Sequence, residues 1–276
     1  MIRKAISTAL LLVLPVFAAC EQEHDPESNQ ALGVASGACH SPPDAAPPDA
    51  APPDAAPPDA APPVPVVAPI TATTHGKSYA DWAIVWWQFV HAIPKSVNPT
   101  LGGDCTIGQS GDDVWFLAGN FGGAEVRSCQ VPAHTALFFP VLNKICKQCP
   151  ESSCAASHNS DLAVCASRGL ELATDLFLEV DGVPLPSVAQ QRVATLPFTW
   201  TAPANPADHV RSCLGPVPAN SCGTPEGARF GQTDGYWIML EPLPPGPHTI
   251  HFGGKLPAGT IPAFSLDMTY NLTVAE

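Results

Sequence analysis

The sequence predicts a mainly β domain, a β-sandwich or jelly roll, with one N-terminal tryptophan-rich helix packed on it. Two observations lead to the β prediction: many short apolar segments separated by Pro and Gly turns, and a strictly alternating last segment. The apolar residues of that last segment share one face of a strand: Phe264, Leu266, Met268, Tyr270, Leu272 and Val274. Polar residues fall on the other face, so the pattern indicates one buried face and one solvated face.

The stretch SYADWAIVWWQFVHAIP predicts the helix. Ser78 is a suitable N-cap, Asp81 three residues later gives a variant of the capping box, and Pro94 ends the helix. Apolar residues cover most of the circumference of this helix, so we expect it to be largely buried.

A narrow polar strip on this helix, formed by Asp81, Gln88 and His91, has two interpretations. Either the strip faces solvent, or it faces a ligand pocket. In the second case Gln88 and His91 supply hydrogen bonds, and a tryptophan ring supplies a stacking wall. The candidate ligand-binding residues are then Trp86, Trp87, Gln88 and His91.

Further segments predict strands. VWFLAGNFGG and TALFFPVLN are short apolar strands, the second interrupted by Pro140. LFLEVDGVPLP predicts a hairpin, because Asp181 and Gly182 suit a type I′ turn. GYWIMLEPL followed by PPGPHTIHFGG predicts a strand, a turn and another strand.

The first twenty residues, MIRKAISTALLLVLPVFAAC, have the features of an export signal. Arg3 and Lys4 form a basic start, an apolar stretch follows, and two alanines form a small-residue cleavage site. The apolar stretch falls short of the roughly 20 residues that a membrane-spanning helix needs. Residues 1–19 are therefore predicted to be a signal peptide.

The segment FAAC resembles the lipobox of bacterial lipoproteins. The resemblance implies that Cys20 becomes the mature N-terminus and carries several lipid chains, which together anchor a protein stably. Glu21 after the cysteine implies sorting to the outer membrane, with the domain facing the periplasm or the cell surface. The alternative is a plain secretory signal cut after Ala19.

Residues 20–69 are predicted to form a lipidated, disordered tether that contains four near-perfect Pro-Pro-Asp-Ala-Ala repeats. Proline fixes φ and lacks an N–H, so the repeats favour polyproline II rather than helix or sheet. About 24 such residues reach roughly 70 Å at 3.1 Å per residue. We interpret the tether as a spacer; a docking ligand for a proline-binding module is the alternative.

Residues 70–276 are predicted to form one disulfide-stabilised β-rich domain. The whole chain has a formal net charge of −13, and this region has 17 acidic and 10 basic residues. Residues 21–69 have eight acidic residues and no basic residue. An acidic domain behind an acidic tether argues against nucleic acid or an anionic lipid surface as partner.

The domain has eight cysteines, an even number that predicts disulfides in an exported chain. Cys213 and Cys222 close a short loop and are the first candidate pair, and Cys105 with Cys129 is the second. The cluster of Cys146, Cys149, Cys154 and Cys165 would then have two local bridges. Cys39 in the tether is expected to be unpaired or to pair between chains.

The same cluster has a second interpretation as a zinc site. Cys146 and Cys149 form a CxxC pair, and Cys154, Cys165 or His158 could complete a tetrahedral set. Oxidation competes with metal binding outside the cytoplasm, so disulfides are favoured and no metal is assigned.

Several motifs together resemble a group of uncharacterised bacterial exported proteins and lipoproteins: GKSYADWAIVWWQF, GQSGDDVWFLAG, VPAHTALFFPVLN and DGYWIMLEPLPPGPHTIHFGG. They cover most of residues 76–254. The resemblance implies an exported β-rich domain and assigns no activity.

The neighbouring sequence predicts the positions of four further residues. Arg127, beside Cys129, is expected at the surface, and Asp234 is expected to shape the turn before its strand. His248 and His251 lie three residues apart on a predicted strand, so they point to opposite faces and make a poor metal pair.

Two functions stay open. The first is a surface module that binds an extracellular carbohydrate or a protein partner through exposed aromatic residues. The candidates are Trp82, Trp86, Trp87, Trp115, Trp200 and Trp237, although most of these are expected to lie in the core. The second is a hydrolase or lyase acting on an extracellular polymer, with Asp81 and His91, or Asp234 and Tyr236, as acid and base. The sequence has no GxSxG, HExxH or phosphate-binding glycine loop. Binding is therefore favoured, no catalytic residue is assigned and no cofactor is expected.

Overall fold

The computed structural model describes residues 64–110, 113–147, 162–185, 187–205, 208–210, 229–258 and 263–276. The predicted signal peptide, Cys20, Cys39 and the proline repeats lie outside these residues, as do Cys149, Cys154, Cys213 and Cys222. No helix in the described part of the chain is long and apolar enough to cross a membrane.

Helix α1 (Tyr79–Ala92) begins and ends where the sequence predicts. The Ser78 side chain accepts the Asp81 N–H, and the Asp81 carboxylate accepts the Ser78 N–H, each at 3.2 Å, which completes the capping box. Ile93 is extended, because a residue before proline is disfavoured in the helical region.

Two five-stranded sheets stack into a sandwich, which confirms the predicted fold class. The helix-side sheet contains β1 (Val114–Phe116), β3 (Ala136–Lys147), β6 (Arg192–Ala194), β7 (Phe198–Trp200) and β8 (Arg229–Leu240). Its order is β1-β3-β8-β6, and β7 pairs with another part of β8. The outer sheet contains β2 (Gly123–Val131), β4 (Thr174–Val180), β5 (Val183–Pro184), β9 (Gly246–Leu256) and β10 (Phe264–Val274), in the order β2-β10-β9-β4-β5.

The two central strands of the helix-side sheet are buried on both faces. Phe139 and Ile238 belong to the core between the sheets, whereas Phe138, Trp237 and Met239 belong to the core under α1. Trp237 stacks on Phe138 at 5.5 Å between ring centroids. This double burial explains why ALFFPVL and GYWIML are continuous apolar runs without alternation.

The outer sheet alternates between apolar and polar residues, as the last strand predicts. Strand β10 buries Leu266, Met268, Tyr270, Leu272 and Val274 against the helix-side sheet. It pairs antiparallel with β9 and parallel with β2. The opposite face of this sheet has no layer over it among the described residues.

Local predictions elsewhere are confirmed in part. Asp181 and Gly182 have φ of 54° and 75°, as a type I′ turn between β4 and β5 requires. Strand β3 was expected to be interrupted at Pro140, but it continues through a bulge between Pro140 and Leu142. The bulge tolerates the missing N–H, so twelve residues stay in one strand. A short helix, α2 (Leu162–Ser167), interrupts the expected all-β succession and contains Cys165.

Tyr79 joins three segments in the core under α1. Its hydroxyl donates to the Ala68 carbonyl at 2.6 Å and accepts the Met239 N–H at 3.2 Å. The residues before the helix also pair with β8, since the Ala68 N–H donates to the Met239 carbonyl. Burial raises the pKa of Tyr79 to about 12.

Stability should fall as the pH rises from about 10 to about 12. An unfolded tyrosine ionises near pH 10, whereas folded Tyr79 keeps its proton to about pH 12. The unfolded state therefore binds fewer protons in this window, and unfolding becomes easier. We expect Tyr79→Phe to have a shallower decline in the free energy of unfolding, by on the order of 2–3 kcal/mol across the window. Urea unfolding at a series of pH values measures the two slopes; parallel curves would contradict the prediction.

Candidate binding groove

The tryptophans and the histidine predicted to bind a ligand lie in the core under α1. The Trp86 indole donates to the Leu117 carbonyl at 3.0 Å, and the Trp87 indole donates to the Thr233 hydroxyl at 2.9 Å. A ring nitrogen of His91 lies 2.9 Å from the Trp87 carbonyl oxygen, and His91 is 5% exposed. Trp86, Trp87 and His91 therefore fix α1 on the sheet, and their rings are not presented at the surface.

Gln88, the fourth predicted residue, is exposed and donates its side-chain amide to the Thr199 carbonyl at 2.9 Å. The polar strip is therefore not one continuous surface. Asp81 and Gln88 face solvent, whereas His91 packs against Trp87 and Trp200.

The expectation that most of the tryptophans lie in the core is confirmed, and none of the six forms an exposed binding face. All six tryptophans and all three tyrosines of the chain are buried, with none more than 8% exposed: Trp82, Trp86, Trp87, Trp115, Trp200, Trp237, Tyr79, Tyr236 and Tyr270. The helix-side sheet is buried on both faces, and these large rings pack in its two cores instead of stacking on a ligand at the surface. No indole or phenol ring is available as a platform for a ligand.

A groove of about 910 Å³ lies instead on the solvated face of the outer sheet. Its floor is formed by the C-terminal parts of β2 and β10 and the start of β9. The floor side chains are hydroxyls and amides at exposed positions: Ser128, Gln130, Thr249, Asn271 and Thr273. None of these residues was predicted to be functional, although β10 was correctly predicted to have a polar face.

Strand register orders the floor into rows. Ser128, Asn271 and Thr249 lie side by side on three neighbouring strands. Gln130, Thr273 and Pro247 form the next row. Strands lie about 4.8 Å apart, so each row presents polar groups across about 10 Å.

One wall of the groove is the groove loop, residues 98–106. Asn98 is fully buried and donates to the Val90 and Ile93 carbonyls, which are the last acceptors of α1. A side chain at Gly103 would meet the Val97 carbonyl oxygen at 2.2 Å, so only glycine fits this close approach. The Cys105–Cys129 disulfide then fastens the loop to β2.

Asp104 lies at the tip of this wall and is exposed. One of its carboxylate oxygens, Oδ1, accepts both the N–H and the hydroxyl of Thr106 at 2.8 Å. These two bonds lower the pKa of Asp104, so the carboxylate is ionised at neutral pH.

Behind the groove, Arg127 is buried, and its predicted surface position is wrong. The side chain is 8% exposed and forms a two-point ion pair with Glu125, both contacts at 2.8 Å. It also donates to the Ala118 and Pro99 carbonyls and to the Tyr270 hydroxyl. Arg127 therefore connects the groove loop, β2 and β10.

Burial and the neighbouring charges shift the pKa of Arg127 in opposite directions. Burial disfavours the charged form of Arg127, but the bonds and charges of Glu125 and Tyr270 outweigh it and raise the pKa of Arg127. The hydrogen bond from Arg127 lowers the pKa of Glu125. The pair is thus ionised, and every guanidinium nitrogen is already engaged.

Asp181 and His248 form the opposite wall. Asp181 accepts the Thr249 N–H at 2.7 Å, and its other oxygen lies 2.7 Å from His248 Nδ1. The second ring nitrogen of His248 lies 2.8 Å from the Pro244 carbonyl oxygen. Both imidazole nitrogens have partners, so His248 fastens the β4–β5 turn to β9.

His251 confirms the predicted separation of the two histidines. It lies opposite Thr269 on the solvated face, whereas His248 lies opposite Leu272. In the described ranges, no group of three or more His, Cys, Asp and Glu residues could bind a metal ion.

The members of the acid–base pairs proposed from the sequence have structural partners, or lie at opposite ends of a helix. Asp81 caps α1, whereas His91 lies in the core at the other end of the helix. Asp234 is buried within β8, and not in a turn; it forms an ion pair with Arg192 at 2.8 Å. Tyr236 donates its hydroxyl to the Leu170 carbonyl at 2.9 Å.

The second candidate disulfide, Cys105–Cys129, is confirmed. In the cysteine cluster, Cys146 pairs with Cys165 across 19 residues, which confirms local bridging there. Both sulfurs are consumed by this bond, so neither Cys146 nor Cys165 is a zinc ligand in this structure.

No family model, no curated protein and no solved structure matched the chain in comparisons with known proteins. The resemblance to exported lipoproteins stays a prediction, and any function must be argued from the groove itself.

Proposed function

We propose that the chain is a lipid-anchored envelope protein whose sandwich domain binds an extracellular carbohydrate in the groove. The observation that supports this proposal is the composition of the groove floor. Five exposed hydroxyl and amide side chains stand on three paired strands within one concavity of about 910 Å³. This volume falls within the range of about 300–1,000 Å³ typical of small-molecule sites.

Carbohydrate suits this floor because sugar hydroxyls both donate and accept hydrogen bonds at short intervals. The amides of Gln130 and Asn271 and the hydroxyls of Ser128, Thr249 and Thr273 can do the same. Backbone pairing fixes the spacing of these groups, so little order has to be imposed on binding. Val126, 68% exposed at the groove, and Pro247 add apolar contact for the C–H face of a sugar.

A protein partner is the other binding hypothesis, and a hydrolase or lyase is the catalytic one. A protein interface of ordinary strength buries about 800 Å² per partner and is anchored by buried aromatic or arginine residues. The groove floor offers hydroxyls and amides instead, which favours a sugar. Cleavage of a glycan needs a general acid as well as a base. His248 has both nitrogens engaged, and the hydrogen bonds from Thr106 keep the Asp104 carboxylate ionised, so neither group donates a proton to a leaving group. Binding is therefore the function we propose.

The anchor and the tether complete the proposal. Lipid on Cys20 would hold the chain at the outer membrane, and the proline-rich tether would place the domain on the order of 70 Å away from it. A glycan-binding domain on such a spacer reaches polymers beyond the lipid headgroups.

Replacing Cys20 by alanine should release the protein from the membrane fraction. The change removes the lipid attachment site, and with it the lipid chains that hold the protein at the membrane. Fractionation of cells that express each form, followed by immunoblotting, measures the distribution. Retention of the Cys20→Ala form in membranes would contradict the anchor.

The released Cys20→Ala chain should bind glycans on an array, and the double variant Asn271→Ala/Thr273→Ala should bind at least about fivefold more weakly. Each hydrogen bond lost contributes about 0.5–1.5 kcal/mol, and each 1.4 kcal/mol is tenfold in affinity. Thr269→Ala is the matched control, because Thr269 lies on the same face of β10 outside the groove.

The same samples are incubated with polysaccharides and assayed for new reducing ends. Binding without cleavage supports the proposal, and cleavage favours the catalytic hypothesis. If no glycan binds, or if the double variant binds as well as the control, the groove is not a carbohydrate site.

A further inference from the structure

The acidic and basic side chains at the groove differ in the hydrogen-bonding capacity that they present to a ligand. Its lining contains three carboxylates, Asp104, Glu125 and Asp181, and two basic side chains, Arg127 and His248. The basic groups decide whether an anionic ligand could be bound, because only they could pair with its charge.

Every nitrogen of these two basic side chains already has a partner within the protein. Arg127 is 8% exposed and directs its nitrogens to Glu125, Pro99, Ala118 and Tyr270. His248 directs its two nitrogens to Asp181 and Pro244. An acidic sugar in the groove would therefore lose the water around its carboxylate and gain no cationic partner.

The carboxylates, in contrast, keep accepting capacity. Thr106 donates only to Oδ1 of Asp104, so Oδ2 at the tip of the groove loop accepts no hydrogen bond from the residues that the structure describes. Asp181, 42% exposed on the opposite wall, accepts one bond at each oxygen, and a carboxylate oxygen has two acceptor sites. A ligand lying along the floor has an acidic group beside it on each wall.

From this asymmetry we infer that the groove takes glycans whose sugars carry free amino groups and excludes glycans that carry carboxylates. The inference rests on the proposed function and names the substrate class of the same groove. An ammonium group near Asp104 gains a charge-assisted hydrogen bond to Oδ2, while a uronate at the same place meets like charge on both walls.

Three oligosaccharides of matched length test the inference on the Cys20→Ala chain: β-1,4-linked glucosamine, its N-acetylated counterpart and a galacturonate oligomer. We expect affinity to decrease in that order. Asp104→Asn keeps the side-chain oxygen that accepts from Thr106 and removes the charge, so it should reduce the preference for the amine over the N-acetyl form by about two- to fivefold. Asp267→Asn, on the same sheet face outside the groove, is the matched control and should leave the preference unchanged.

Raising the ionic strength should likewise reduce the preference for the amine, since exposed charges are screened by salt. Equal binding of all three oligomers, tighter binding of the galacturonate oligomer, or a preference that survives Asp104→Asn would overturn the inference while leaving the proposed function in place. Failure of all three to bind overturns the inference, and it overturns the proposed function as well if no glycan binds on the array.

Discussion

Replacing Arg127 by methionine should lower the free energy of unfolding by about 3 kcal/mol, because it breaks a largely buried ion pair from one side. The change removes the two-point partner of Glu125 and the donors that reach the Ala118 and Pro99 carbonyls. Buried acceptors left without a donor add to the loss. Glu125 keeps a third of its side chain in solvent, so the lower end of the usual range of 3–5 kcal/mol applies.

Urea unfolding at neutral pH measures this loss, and an unchanged slope against urea indicates that it reflects stability. Lys255→Met is the matched control: Lys255 pairs with Asp175, but both side chains are 62% exposed, so no measurable change is expected. The double variant Glu125→Leu/Arg127→Met should recover part of the loss, because it leaves no uncompensated charge. An Arg127→Met protein as stable as the control would show that Arg127 has no role in fixing the groove loop.

The elements that sequence analysis predicts well are those that local chemistry determines. Ser78 and Asp81 cap α1 from three residues apart, and Asp181 with Gly182 sets the hairpin from adjacent positions. Strand β10 has only one buried face, so its period of two is visible in the sequence. The same period predicted the polar face that includes Asn271 and Thr273, which are two of the five side chains of the groove floor.

The elements that it misses depend on contacts distant in sequence. Arg127 and Tyr270 are 143 residues apart, and among the partners of the guanidinium only Glu125 is a near neighbour in sequence. A signal was present, however: Arg127 shares its strand parity with Cys129 and Val131, which are both buried. Recognition of GAEVRSCQV as strand β2 would have placed Arg127 on the inner face.

Asp234 follows the same logic. It lies an even number of residues before Tyr236, Ile238 and Leu240 on β8, so it shares their face toward the core between the sheets. Arg192 neutralises its charge there. The sequence could not assign each tryptophan to the surface or the core, for a different reason. Large aromatic rings fit either a binding platform or a core, and only the stacking of α1 on a doubly buried sheet decides between these uses.

The two disulfides among the described residues should contribute about equally to stability but differ in their effect on ligand binding. Cys105–Cys129 and Cys146–Cys165 close loops of similar length, with sequence separations of 24 and 19. The chain-entropy treatment of a cross-link gives about 3 kcal/mol for each. Removing either bridge by paired serine substitutions should therefore lower the free energy of unfolding by similar amounts.

Only the first bridge lies at the groove. Cys105 and Cys129 both line it, and their bond joins the groove loop to β2 within a few residues of Asp104 and Ser128. Without the bond, Arg127 still reaches the base of the loop at Pro99, but the tip has lost its covalent attachment. Cys105→Ser/Cys129→Ser should then bind glycan several-fold more weakly at temperatures where the domain stays folded, because the ligand must order the wall on binding.

Calorimetric titration of both serine variants, beside urea unfolding of each, separates the two effects. Cys146→Ser/Cys165→Ser is the matched control, since it loses a bridge of similar span away from the groove. If the two variants lose equal stability and equal affinity, the binding defect follows from general destabilisation and the groove loop is not the wall of the site. If only the Cys105→Ser/Cys129→Ser variant loses affinity, a fastened loop is a requirement for ligand binding, and the disulfide is part of the site that the outer sheet presents.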